Sequence, residues 1–165
     1  MISVSRITLI LVGVLAFGMA PIHAQEAAPG KDNIQLSSPV MELLRTEMRA
    51  LLDGIQSLPA GIATADWENV AETSAQIGNS YILQQQLTPA QRTELGQSLP
   101  EYFKQLDTGF HLEAKKLEAA AIKRDAQLST FHYYRLIEAC SVCHARYASS
   151  RFPGFSHTKK EHHTH

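Results

Sequence analysis

Apolar residues that return every three or four positions along most of the chain decide what this sequence can fold into. The first such stripe is Met41, Leu44, Met48, Leu51, Ile55 and Leu58. Those gaps line one face of an α-helix, whereas a strand would scatter the same residues over two faces. Ser38 with Pro39 reads as an N-cap followed by a first-turn proline, and the segment from Pro59 to Gly61 reads as the helix end. A second stripe, Trp67, Val70, Ser74, Ile77 and Tyr81, follows Asp66 as its cap. Thr88, Pro89 and Gln91 start a further turn or two that ends before Pro100. Ser98 and Glu101 read as a capping box opening a helix with Phe103, Leu106, Phe110 and Leu117 on its apolar side. Asp125 caps the last helix, which runs through Phe131, Leu136 and Cys140 to about Tyr147 and is stopped by Phe152, Pro153 and Gly154. No strand pattern competes, and four amphipathic helices must cover one another. The expected fold is all-α, an antiparallel four-helix bundle.

The ends of the chain read differently. Met1 to Ala24 carries one basic residue, Arg6, then the apolar run from Ile7 to Ala20, then Pro21, Ile22, His23 and Ala24. This is the layout of a cleaved signal peptide, and the run falls short of the roughly 20 residues that span a bilayer. The expected location is therefore the periplasm, with no membrane span after cleavage. Residues 25–37 form a flexible lead-in, 38–155 the bundle domain, and 156–165 a His-rich tail with His157, His162, His163 and His165.

Charge excludes one class of partner. With 15 basic and 16 acidic residues, the chain has no excess positive field to bind a phosphate backbone, and nucleic acid is not expected. No Ser/His/Asp set, carboxylate pair or glycine-rich phosphate loop stands out, so the chain is not expected to be an enzyme in its own right.

The chain has two cysteines, and both lie in the string Cys140, Ser141, Val142, Cys143, His144. This is C-x-x-C-H, the attachment signature of a c-type haem. At about 100° per residue, the three side chains share one helix face, so two thiols can bond the haem vinyl groups while the imidazole reaches the iron. Three other readings compete. A redox dithiol belongs at a helix N-terminus after a strand. A zinc site needs four compact ligands. A structural disulfide here would constrain a single turn.

A signal peptide, four helices and a C-x-x-C-H late in the last helix, followed by Tyr147 three residues on, resemble the cytochrome c prime family, including its low-spin branch with methionine as second ligand. The resemblance covers about residues 38–150. It implies one covalent haem c on Cys140 and Cys143, His144 as proximal ligand, and a first helix facing the other side of the iron. Met48 is the expected sixth ligand, with Met41 and an open coordination position as the alternatives. The family often places arginine four residues before the distal position, where this chain has Leu44; Arg45 is the residue that could reach a haem propionate. Tyr133, Leu136 and Ile137 share the side of Cys140 and are expected to pack on the macrocycle. His132 and His111 are expected as half-buried or surface residues. The resulting functional reading is a single-electron carrier whose redox partner proteins the sequence does not name, with a homodimer through the first two helices allowed by the resemblance. A gas-binding haem protein with an open iron, and a metal-buffering helical protein using the tail histidines, are the two rivals.

Overall fold

The structure, a computed structural model, describes residues 34–155. The expected signal peptide, most of the expected lead-in and the His-rich tail lie outside the described residues. Among those described there are five α-helices and no strand: α1 (Ser38–Thr64), α2 (Trp67–Gly78), α3 (Pro89–Ser98), α4 (Glu101–Ile122) and α5 (Ala126–Tyr147), with a short 3-10 turn at Pro153–Phe155. None of these helices is long and apolar enough to cross a membrane.

Helix α1 follows its stripe, burying Leu44, Leu51, Ile55 and Leu58. Two of its boundaries differ from expectation. Ser37, not Ser38, occupies the N-cap position, and its hydroxyl makes no cap; it donates instead to Glu94 of α3 at 3.0 Å, while the Ser37 amide donates to the other Glu94 oxygen at 2.6 Å. The helix also passes through Pro59 to Thr64, because Pro59 is on the exposed side while Leu58 and Gly61 are buried against the core. Gly61 permits this close packing: a Cβ there would stand 2.7 Å from Val70 Cγ2. Ala65 then turns left-handed at φ 59°, and the Asp66 amide donates to the Gly61 carbonyl, closing the helix end.

Asp66 caps α2 by accepting from the Asn69 amide, and Val70, Ser74 and Ile77 are buried as their spacing requires. Tyr81 lies beyond the end of this helix, in the loop, where its hydroxyl covers Gly54 of α1. Thr88 and Gln91 form the reciprocal capping box, yet α3 extends over 10 residues rather than a turn or two. The capping box expected at Ser98 and Glu101 does not form. Ser98 is the last residue of α3, and Pro100 stands at the N-cap of α4 with no side-chain bond.

Asp125 caps α5 through the Leu128 amide at 3.0 Å. Phe131, through which this helix runs, is 52% exposed. It precedes Cys140 by nine residues, which is half a turn out of phase, and the core face runs instead through Ser129 and Leu136. Helix α1 packs against α2 and α5, α2 against α4, and α4 against α5, while α3 is seated on α1. Leu51, Ile55 and Leu58, with Val70, Ile77, Phe110, Leu117 and Leu136, form one apolar core between them.

Candidate functional site

The site begins with one turn of α5. Cys140 and Cys143 are half-buried free thiols, and His144 is half-buried beside them. Burial raises the Cys140 thiol above its ordinary range. Cys143 is pushed up to about 11, chiefly by burial, with the negative charges of Asp107 and Cys140 adding to it. Burial lowers the His144 imidazole, so it is neutral and free to offer a lone pair. Its ring stacks on Phe152, with centroids 4.7 Å apart and planes 25° from parallel. The chain beyond α5 therefore folds back over the imidazole. A redox dithiol needs a thiol pKa depressed by a helix N-terminus; here the thiols are deep in the helix and shifted the other way. Among the described residues no group of three or more His, Cys, Asp or Glu side chains is placed to hold a metal ion.

The expected neighbours divide into two sets. Leu136 is fully buried in the core, and Met48, Tyr133 and Cys140 pack against the same cluster. The first helix and the motif-bearing helix thus each set one of these residues, Met48 and Cys140, against the same core cluster. Arg45 and Ile137 behave differently. Arg45 is exposed, with its guanidinium 3.7 Å from the carboxylate of Glu42 on its own helix, and Ile137 is 39% exposed. Ile137 precedes His144 by seven residues and so lies on the same side of α5, presenting apolar area to water next to the imidazole. Met41 is half-buried.

The haem c implied by the motif can be tested against these side chains. Two unoxidised thiols three residues apart and a neutral imidazole are the donor set it takes. The Tyr147 hydroxyl, three residues after His144, is buried and has no hydrogen-bond partner, so a polar group arriving at this face would satisfy it. The residues present fit the group.

Sequence reasoning overlooked two polar clusters, those of His111 and Glu47, whereas His132 has the partial burial expected of it. His111 is buried, with Nδ1 2.7 Å from the Ile77 carbonyl oxygen and Nε2 3.5 Å from Asp107. It borders a cleft of about 250 Å³ between α2 and α4 that Gly78, Asp107 and Lys115 also line. His132 is half-buried, 2.9 Å from Glu113. The other cluster surrounds Glu47, which is 1% exposed and accepts four hydrogen bonds from the loop after α2. Its signal was present: Glu47 stands between Leu44 and Leu51 at stripe spacing, a carboxylate on an apolar face.

No family model, curated protein or solved structure matches the chain.

Proposed function

We propose that the chain is a periplasmic c-type cytochrome of the cytochrome c prime type, exported by a cleaved signal peptide, holding one haem covalently and carrying single electrons. The observation that carries this reading is the trio on one face of α5: two free, half-buried thiols at Cys140 and Cys143 beside a neutral His144. In this reading α1, α2, α4 and α5 are the antiparallel four-helix bundle and α3 is an insertion in the connection between the second and third of them. The pairing of Phe103 with Tyr147 and of Glu113 with His132 supports opposite directions for α4 and α5.

Haem c supplies a one-electron iron couple whose potential follows its axial ligands and surroundings. Cys140 and Cys143, both free thiols, would hold the group covalently, and reduced cysteines are what that attachment requires. His144 would offer it an imidazole nitrogen, and the stacked Phe152 ring limits how far the imidazole can turn. Met48 of α1 would offer a thioether, and Leu136 and Tyr133 would help keep water from the motif. Ile137 contributes apolar area that an attached macrocycle removes from water.

The test is expression of the full chain with a c-type maturation system, denaturation, and staining of the gel for haem peroxidase activity. Wild type is expected to retain haem through denaturation, and a variant with both cysteines changed to alanine is expected to lose it. A wild-type band without haem would refute the reading.

A further inference from the structure

Glu47 is a buried carboxylate held by a loop. Its Oε1 accepts from the Ser80 hydroxyl at 2.8 Å and the Tyr81 amide at 3.0 Å, and its Oε2 accepts from the amides of Ile82 at 2.6 Å and Leu83 at 3.3 Å. Three successive amides and a hydroxyl thus converge on one anion, and Ser80 adopts φ 58°, the left-handed region that a non-glycine residue enters when its surroundings compel it. The same turn is braced from the other side, where the Gln85 amide donates to the Ser80 carbonyl at 2.6 Å. Both Glu47 and Ser80 are 1% exposed, so neither the carboxylate nor the hydroxyl can turn to water instead.

This clasp sets a rotation. Successive residues on an α-helix point about 100° apart. With Glu47 tied to the loop that follows α2, Met48 points about 100° away from it and packs against the apolar core that Tyr133 and Cys140 of α5 also cover. Rolling α1 to carry Met48 away would pull the buried carboxylate from the four donors that hold it. We propose that Glu47 is a positioning residue for the second axial ligand: its clasp on the Ser80–Leu83 loop fixes the roll of α1 and thereby holds Met48 toward the motif face of α5. The proposal rests on the reading of Met48 as sixth ligand of an attached haem.

The experiment uses the full, haem-loaded chain and reads the spin state of the ferrous spectrum and the affinity for carbon monoxide. Wild type is expected to be low-spin. Glu47→Ala is expected to add high-spin absorption and to tighten apparent carbon monoxide binding about tenfold, because the state with Met48 off the iron becomes more populated. Glu47→Gln, which keeps one acceptor oxygen, should move both readouts less, and Ser80→Ala, which removes one donor, should move them in the same direction. These two variants carry the test if Glu47→Ala does not fold. Leu58→Ala, in the core of the same helix and 1% exposed, controls for general destabilisation: it should lower the melting temperature and leave spectrum and affinity as in wild type. The proposal is overturned if the Glu47 and Ser80 variants stay low-spin with carbon monoxide affinity within about twofold of wild type, or if Leu58→Ala shifts both readouts as much. A wild type that carries haem but is already high-spin overturns it as well. A wild type without haem refutes the cytochrome reading itself, a result that the other outcomes cannot mimic.

Discussion

Two large apolar residues on α5 should respond differently to truncation, because the helix turns them about 140° apart. Leu136 is fully buried in the core, whereas Phe131 is 52% exposed. Leu136→Ala removes three buried carbon atoms' worth of packing and leaves a cavity that the neighbouring helices close only in part, at a cost of about 3 kcal/mol. For a domain of this size, that lowers the melting temperature by roughly 10 °C. Phe131→Ala loses area that is already half in water and one edge-on ring contact with His132, at 5.2 Å between centroids. Its cost should stay below about 1 kcal/mol, with alanine's better helix propensity offsetting part of it. The assay is urea unfolding of both variants followed by far-ultraviolet circular dichroism, with equal slopes required before midpoints are compared. If Phe131→Ala costs as much as Leu136→Ala, the rotation of α5 described above is wrong. The motif face would then have to be redrawn, because Cys140 is four residues after Leu136 on that same rotation.

The remaining predictions concern charge and ligation. Burial alone would lower the His111 pKa, but the hydrogen bond and charge of Asp107, with the Ile77 carbonyl, raise it above the ordinary 6.5. A raised pKa means stability that is complete below the unfolded-state value and lost as pH climbs through the folded-state one, so melting temperature measured from about pH 6 to 9 should fall more steeply in wild type than in His111→Gln. Parallel curves would refute the charged His111 bridge. Met48→Ala should convert the ferrous haem protein to a high-spin form that binds carbon monoxide and has a lower reduction potential, while Met41→Ala, at a half-buried position, should change stability without changing the spectrum. A wild type already high-spin and readily binding carbon monoxide would make Met48 a core residue and favour the gas-binding function.

Which parts of this molecule were legible depends on how far apart the interacting residues lie in the chain. The caps at Asp66, Thr88 and Asp125 are bonds to amides three residues on, and all three formed where the residue types placed them. The trio Cys140, Cys143 and His144 is equally local, since one turn of helix suffices to gather it. Ser98 failed as a cap because the competing claim, the last turn of α3, came from before it in the chain. The exposure of Phe131 could not be read from its apolar character, because the phase of α5 is set where Ser129 and Leu136 are buried against the other helices. Glu47 is the more instructive case. Its donors lie 33 to 36 residues away, in a loop whose conformation no local rule specifies. A carboxylate on an apolar stripe is nevertheless a legible anomaly, because burying it costs several kcal/mol unless donors are supplied, so a chain that keeps it there must supply them from elsewhere. That requirement joins the two sides of the proposed site. The proximal side is written in five consecutive residues, and the distal side depends on a helix whose rotation is held by a loop. If the chain carries haem as proposed, substitutions in that loop should therefore change its spectrum, although none of the loop's residues belongs to the motif.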